Sequence, residues 1–333
     1  MGEDLYRLLK PKFEVPPARY PGRISEVKIG NTPPLGTRGR TMVVGGAVDL
    51  PFFSDRPEAA SKPHIAMQVQ SPPQNIPYPL STALGELLDD PVEWAKYCAE
   101  KCKAEAVELR FNLADRGPSQ GMERVRELTK QLLSELDVPL IFSCPDNRKL
   151  EPLVLETVAA VAEGERVLLA SARLENEYER IAQAAISKEH VVMASTDCDP
   201  PAQKILNDKL MELGLPQEHL VIDPTTAALG YGLEYSISIV EQIRLNALRG
   251  DKSLQMPIAA FPANSWSARE AGISDSEEDS PPIGVMWELT SALVMFLAGA
   301  DLLVMIHPES TRRFRTLLSE TFSPESASPA ECG

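Results

Sequence analysis

Residues 220–252 read LVIDPTTAALGYGLEYSISIVEQIRLNALRGDK and combine three features in one stretch. An apolar run, Leu220 to Ile222, has the length of a buried strand and leads directly into the polar group DPTT at 223–226. A glycine-containing loop then precedes a long amphipathic segment, Leu233 to Arg249, which predicts a helix. Ligands of parallel α/β proteins bind beyond the carboxyl ends of the strands. The stretch therefore predicts one βα unit with a ligand-facing polar tip.

Strand-length apolar runs recur along the chain, and amphipathic segments of helical length separate them. Most runs are continuous rather than alternating, as in strands that are covered on both faces. The predicted strands are HIAMQV (64–69), AVELRF (106–111), PLIFSC (139–144), VLLAS (167–171), VVMAS (191–195), LVID (220–223), PIAAFPA (257–263) and DLLVMI (301–306). The predicted helices are 92–102, 122–136, 153–162, 176–187, 202–213, 233–249, 284–298 and 309–320.

Eight strands alternating with eight helices over about 260 residues predict an α/β fold of the (β/α)₈ TIM-barrel class. A doubly wound open sheet is the alternative, and it requires a glycine-rich turn after the first strand. The segment that follows this strand, QSPPQNIPYPLST at 70–82, contains no glycine. The barrel is therefore the favoured architecture.

The barrel is expected to occupy residues 41–320, with extensions at both ends. Residues 1–40 are predicted to form a short helix and a Pro-rich arm, which wraps over the surface without regular structure from 11 to 38. An additional strand, TMVVGGA at 41–47, is predicted to plug or flank the bottom of the barrel. The acidic loop 274–282 is expected on the functional face, and the tail 321–333 has the composition of a disordered segment.

Charge and composition narrow the classes of partner and compartment. The 333 residues carry a net charge of -15, with 33 Lys and Arg against 48 Asp and Glu, which disfavours nucleic acid and anionic membranes. We expect no secretory signal in the first residues, and the longest apolar run, 291–306, is too short and interrupted to span a bilayer. The five cysteines are scattered, so we expect no iron–sulfur cluster and no other metal site in this chain. A cytoplasmic location is expected.

The predicted strand ends present mainly uncharged hydrogen-bonding groups. Such a rim of donors and acceptors fits ligand positioning better than acid–base catalysis, and no catalytic residue is assigned. Two members have competing interpretations: Asp223 orients a ligand or caps its own turn, and His307 acts in the site or caps the last helix. The candidate ligand-binding residues are Asn112, Ser195, Asp197, Asp223, Thr225, Thr226, Asn264 and His307.

Longer motifs carry a family resemblance. The run from Ile222 to Pro257, together with MVVGGAVDLPF (42–52), VEWAKYCAE (92–100) and ADLLVMIHPE (300–309), resembles the small (delta) subunit of the corrinoid iron–sulfur protein of the reductive acetyl-CoA (Wood–Ljungdahl) pathway. The similarity covers residues 40–318, most of the chain.

The resemblance implies a non-catalytic subunit of a heterodimeric methyl carrier. Its partner would be a large subunit that carries a [4Fe–4S] cluster and a corrinoid-binding domain, and the two would share a cobamide (cobalamin) covered by the barrel's carboxyl face. In that family the cobalt takes a methyl group from methyl-tetrahydrofolate through a separate methyltransferase. The methyl group then passes to CO dehydrogenase/acetyl-CoA synthase.

Two enzymatic alternatives remain open. The first is a pterin-binding barrel methyltransferase that acts directly on methyl-tetrahydrofolate, with Asp223 and either Asn112 or Asn264 holding the pterin ring. The second is a barrel hydrolase or aldolase. The second is weaker because no lysine stands at a strand end to form a Schiff base, and no nucleophile has a base beside it.

Overall fold

The computed structural model describes residues 20–51, 62–113, 118–145, 147–273 and 282–321. The predicted N-terminal helix, the acidic loop up to residue 281 and the tail from residue 322 onward lie outside the described residues.

Eight parallel strands form a nearly closed barrel with helices between them. The neighbouring order around the sheet is β8-β7-β6-β5-β4-β3-β10-β9, which confirms the predicted (β/α)₈ barrel. The strands are β1 (Val27–Ile29), β2 (Met42–Val44), β3 (His64–Ser71), β4 (Ala106–Phe111), β5 (Leu140–Ser143), β6 (Leu168–Ala172), β7 (Val191–Ser195), β8 (Leu220–Asp223), β9 (Ala259–Ala260) and β10 (Leu302–Met305). Of these, β1 and β2 stand outside the barrel as an antiparallel pair.

The helices begin where capping residues and prolines favour a helix start. Asp90 accepts hydrogen bonds from the amides of Val92 and Glu93, and Asp199 accepts one from the amide of Ala202, so acids cap two of the helices. The helices are α1 (Tyr78–Leu84), α2 (Pro91–Glu100), α3 (Pro118–Glu135), α4 (Glu151–Val161), α5 (Tyr178–Lys188), α6 (Pro200–Glu212), α7 (Leu233–Leu248), α8 (Ile283–Ala298) and α9 (Pro308–Thr321). Helix α1 was not predicted, because its prolines are typical of a loop.

The seventh barrel strand is much shorter than its sequence indicates. The predicted strand 257–263 is reduced to Ala259–Ala260, because prolines at 257 and 262 cannot donate to a strand ladder. Between β8 and β9 the described residues form a single parallel bridge, Ile222 to Ile258. We call this junction the seam of the barrel.

A two-stranded ribbon closes the amino-terminal end of the barrel. Strands β1 and β2 pair antiparallel, and their buried side chains Val27, Ile29, Met42 and Val44 pack against the first inward-facing residues of the barrel strands. Of the predicted strand at 41–47, only Met42–Val44 forms a strand, and it lies at the bottom of the barrel. The prediction that the arm has no regular structure is wrong at Val27–Ile29, because the alternating VKI sequence buries its two apolar side chains there.

Candidate functional site

The side chains that line the barrel interior change from apolar to polar along the strands. Alternate residues of a strand share one face, so a period of two separates the successive inward positions. On each of four strands, an apolar residue near the amino end is followed two positions later by a polar residue near the carboxyl end. These are Ala66 and Gln68, Ala106 and Glu108, Ile141 and Ser143, and Val221 and Asp223.

Two adjoining cavities open at the carboxyl end of the strands. The inner cavity, about 110 Å³, is lined by residues that include Glu108, Ser143 and Asp223. The mouth cavity, about 270 Å³, lies beside Asn112 and Trp266. Gln68, Arg110 and Asn264 line both cavities, so together they form one recess at the end where barrel proteins bind ligands.

Glu108 is a fully buried carboxyl group in the inner cavity. The Ser143 hydroxyl donates to its Oε1 at 2.5 Å, and the Gln68 amide donates to its Oε2 at 2.8 Å. Burial raises the pKa of Glu108 in spite of these two donors, since the charged form loses its water. A buried acceptor pair of this kind suits a ligand that offers N–H groups.

Asp223 caps its own turn and also lines the inner cavity, while its role in orienting a ligand stays a prediction. Its Oδ1 accepts from the amide of Thr225 at 2.9 Å, which caps its own turn, and its Oδ2 accepts from the Ser195 hydroxyl at 2.8 Å. Thr225 has a φ of 68°, in the left-handed region, and the turn bonds hold it there. Burial raises the pKa of Asp223, and the charge of Arg173 opposes that rise.

Thr226 and Asn264 tie the two strands of the seam together. The amide of Phe261 donates to the Thr226 hydroxyl at 2.9 Å, and the Asn264 side-chain amide donates to the Thr226 carbonyl at 2.9 Å. These two bonds link the strand ends where ladder pairing stops. The predicted residues Thr226 and Asn264 therefore lie at the seam and line the recess.

Asn112 presents an unmatched acceptor at the mouth cavity. Its Nδ2 donates to the Pro72 carbonyl at 2.7 Å and to Gln70 Oε1 at 3.3 Å. Its Oδ1 is buried and has no donor among the described residues. A buried acceptor without a donor is energetically costly, and a ligand N–H at this position would relieve that cost.

His307 lies outside the recess. Its ring stacks on Trp266 with the centroids 5.2 Å apart and the planes 12° from parallel, and its Nδ1 accepts from the amide of Glu309 at 3.1 Å. The side chain thus caps α9, which was the second interpretation of this residue. Burial lowers the pKa of His307 to about 4, so the imidazole is neutral near pH 7.

Asp197 also lies apart from the two cavities. Its side chain is 68% exposed and stands 3.5 Å from Arg148 and 3.7 Å from Arg173. The structure thus brings Asn112, Asp223, Thr225, Thr226 and Asn264 together around the recess, with Ser195 bonded behind Asp223. The role of the eight predicted residues in ligand binding stays a prediction.

Sequence reasoning missed Glu108, Ser143 and Arg173, which line the inner cavity, and it placed Gln68 at a strand end without including it among the candidates. Three of them lie within or at the end of strands whose mainly apolar composition hides single polar residues. The signal that could have found them is the period of two: Gln68 and Glu108 occupy the same inward positions as the alanines two residues earlier.

Neither a cluster of metal ligands nor a membrane-spanning helix occurs in the described part of the chain. Within it, no group of three or more His, Cys, Asp or Glu side chains could hold a metal ion. No helix of the described ranges is both long enough and apolar enough to cross a bilayer.

These features define a (β/α)₈ barrel with a recess at the carboxyl ends of its strands that is built from amides, hydroxyls and buried carboxyls. The chain belongs to the family described as CO dehydrogenase/acetyl-CoA synthase delta subunit, which matches residues 26–318. The match begins upstream of residue 40, where the resemblance drawn from the motifs started, and includes the β1–β2 ribbon.

Curated relatives are named as delta subunits of the acetyl-CoA decarbonylase/synthase complex. The chain is 38% identical to the acetyl-CoA decarbonylase/synthase complex subunit delta of Archaeoglobus fulgidus, with 95% of this chain and 71% of the relative covered. It is 37% identical to the subunit of the same name from Methanothermobacter thermautotrophicus, with 94% and 79% covered. These findings confirm the resemblance to the delta subunit.

Solved structures of similar shape include dihydropteroate synthases. The enzyme of Xanthomonas albilineans matches with a TM-score of 0.56 at 15% identity, over 87% of this chain and 97% of that one. The enzyme of Thermus thermophilus matches with a TM-score of 0.53 at 17% identity, over 89% and 99%. At this level of identity the likeness establishes the barrel fold alone.

Proposed function

We propose that this chain is the subunit of an acetyl-CoA decarbonylase/synthase system that covers a cobamide held by a large corrinoid iron–sulfur subunit. The observation that carries the proposal is the amide-rich mouth, with the buried and unmatched Oδ1 of Asn112 at its edge. The periphery of a corrin ring bears amide groups, which donate and accept hydrogen bonds and carry no charge. The family membership supports the same assignment.

The residues of the mouth fit such a group in chemistry and in position. Gln70, Gln74, Asn112 and Asn264 supply side-chain amides, and Trp266 supplies an apolar surface. A mouth cavity of about 270 Å³ is too small to enclose a macrocycle, so the ring would lie across the opening with its amides against the rim. When bound, the cobamide supplies a cobalt centre that accepts and releases a methyl group.

The role of this chain is to position and shield. Asn112 would accept an N–H from the ring, and Asn264, fixed by the Thr226 carbonyl, would hold the opposite side of the recess. His307 is neutral and stacks on Trp266, so it would hold Trp266 in place rather than transfer a proton. Ser195 donates to Asp223 and would fix the orientation of that carboxyl group.

A rim of exposed apolar side chains provides a surface for the large subunit. Tyr78, Tyr231, Tyr235, Ile273 and Met286 are 68%, 58%, 69%, 47% and 39% exposed, and all follow carboxyl ends of barrel strands. The Tyr231 hydroxyl donates to Glu270, which joins two of these loops. We call these five residues the tyrosine rim. Aromatic residues and methionine are enriched where proteins bind each other.

Co-expression with the large corrinoid subunit tests this proposal. We expect the two chains to co-purify and the corrinoid absorbance to increase when this chain is present. Asn112→Leu removes the unmatched acceptor and should reduce the retained corrinoid, whereas Asn246→Leu, on the outer helix α7, should leave it unchanged. Failure of the chains to associate in any ratio would contradict the proposal.

A second candidate function is the direct transfer of a methyl group from methyl-tetrahydrofolate. The buried carboxyls of Glu108 and Asp223 favour it, because both accept N–H donors and both line the inner cavity. Methyl transfer to free cob(I)alamin by the isolated chain, abolished by Asp223→Asn, would establish this activity. Inactivity of the isolated chain together with corrinoid retention in the complex would exclude it.

A further inference from the structure

A separate cleft lies on the outer wall of the barrel. It has a volume of about 480 Å³. One side is formed by α9, and the other by the end of α2 and the turn at residues 101–103 that follows α2. The two helices are neighbours because each follows one of the paired strands β10 and β3. The cleft shares no lining residue with the inner cavity or the mouth cavity, so we treat this lateral cleft as a distinct site.

The lateral cleft is basic in a protein that is strongly acidic. Lys101, Lys103, Arg312 and Arg315 line it, while the whole chain has a net charge of -15. Its lining contains one carboxylate, Glu309, which pairs with Arg312 at 2.6 Å and with Arg313 at 2.7 Å. These arginines lower the pKa of Glu309 to about 2, so its charge is already balanced. Lys101 and Lys103 add further positive charge, and neither forms a salt bridge with a carboxylate of the described residues.

Arg315 in the lateral cleft has a buried donor that no described acceptor meets. Its Nη2 donates to the Lys103 carbonyl at 2.6 Å, but its Nε is buried and has no acceptor among the described residues. The nearby carboxylate of Glu105 accepts instead from His64 and from the amide of Ile65. A partly buried guanidinium with an unmet donor is costly, and an oxyanion would satisfy it.

We propose that the lateral cleft binds a small phosphorylated organic molecule. Its phosphate would be held by Arg315, Lys101 and Lys103, and its organic part would lie against Tyr97 and Pro308, which also line the cleft. Guanidinium and ammonium groups are the usual partners of phosphate oxygens. The volume falls in the range of about 300–1,000 Å³ that small-molecule sites have, which favours a compact ligand over a protein segment.

Calorimetric titration of the full chain with phenyl phosphate tests the site. We expect saturable binding with a Kd at or below about 1 mM, the weak limit of ordinary metabolite sites, and weaker binding of inorganic phosphate. The double variant Lys101→Gln/Lys103→Gln should weaken binding at least about tenfold, because two of the three proposed cationic contacts are lost. Arg312→Gln, at the edge of the cleft, should weaken it less.

The double variant Lys130→Gln/Lys252→Gln is the matched control. It makes the same change in net charge at exposed positions outside the cleft and should bind as the wild type does. Absence of binding to the wild type, or equal weakening in both double variants, overturns the proposal. So does a polyglutamate peptide that binds more tightly than phenyl phosphate, since it would assign the cleft to an acidic protein segment.

Discussion

Glu108 is a single acid inside the apolar wall of the barrel, and its ionisation opposes folding. Burial raises the pKa of this carboxyl in the folded chain, so the folded state keeps the proton to a higher pH than the unfolded state. The contribution of Glu108 to the free energy of unfolding is therefore greatest at low pH, and it decreases as the pH rises through the folded-state pKa. Each unit of the rise corresponds to about 1.4 kcal/mol.

Glu108→Gln should remove this pH dependence. We expect the free energy of unfolding of the variant, relative to the wild type, to increase as the pH rises above 4.5, the ordinary pKa of a glutamate, as measured by urea denaturation. Glu123→Gln, at a side chain 65% exposed on α3, should show no such trend. A difference between Glu108→Gln and the wild type that stays constant with pH would contradict the buried position of the charge.

His307 makes the opposite contribution at acid pH. Burial lowers its pKa from the usual 6.5 to about 4, so the unfolded chain binds a proton first as the pH falls. Stability due to this residue is present above 6.5 and decreases by roughly 3 kcal/mol as the pH falls to about 4. His307→Asn keeps an acceptor for the Glu309 amide and should lose that dependence. In NMR titrations the His307 ring of the wild type should not titrate between pH 5 and 8.

At the scale of elements, Arg38 joins the N-terminal arm to the barrel. It is fully buried, and its Nε donates to Glu165 at 2.9 Å, while its other nitrogens donate to the Leu136 and Leu133 carbonyls. We expect Arg38→Ala to lower the free energy of unfolding by about 3–5 kcal/mol, because it leaves the Glu165 charge buried without its partner. Chemical denaturation measures this effect.

Arg23→Ala is the control for that experiment. Arg23 lies in the arm and pairs with Glu26 of the arm. The side chain of Arg23 is 63% exposed, and exposed pairs contribute about 0–1 kcal/mol. Equal destabilisation by the two substitutions would mean that the arm is not anchored through Arg38.

The elements that could be predicted from the sequence are those with a strong, regular pattern. The apolar runs of β4, β7 and β8 were predicted at their observed bounds, because both faces of such strands are buried. The eight predicted helices agree with the observed helices within a few residues at each end. Strand β1 and helix α1 could not be predicted, since three residues in a Pro-rich arm and a helix that contains a proline give no local signal. Their structure depends on contacts with the rest of the barrel.

The recess was predictable only in part for the same reason. Asp223, Thr226 and Asn264 follow strand ends and were found, because position alone indicates them. Glu108 and Ser143 face inward from within strands, and which face of a buried strand points inward depends on how the barrel closes. The sequence therefore indicates the edge of the recess but not its floor.

At the scale of the whole molecule, the tyrosine rim predicts how the barrel meets its partner. Tyr235 is 69% exposed in the first turn of α7, and aromatic residues at the centre of interfaces contribute about 2 kcal/mol or more. Tyr235→Ala should therefore raise the Kd for the large subunit by about 30-fold without changing the melting temperature. Surface plasmon resonance measures this change.

Leu35→Ala serves as its counterpart at the opposite end of the barrel. Leu35 is 71% exposed, close to the value for Tyr235, but it lies near the closed amino-terminal end. We expect its substitution to leave the affinity unchanged. A larger effect from Leu35 than from Tyr235 would place the interface at the wrong end of the molecule.

A backbone amide at the seam offers a way to measure whether the recess is occupied. The Phe261 amide is bonded to a side-chain hydroxyl rather than to a strand partner, and that hydroxyl belongs to Thr226 in the wall of the recess. The exchange of the Phe261 amide hydrogen with deuterated solvent therefore depends on the local opening of the recess and not on unfolding of the whole barrel. We expect a group that binds against Thr226 and Asn264 to slow that opening. Deuterium uptake at Phe261 thus reports on a filled recess without any chromophore or turnover.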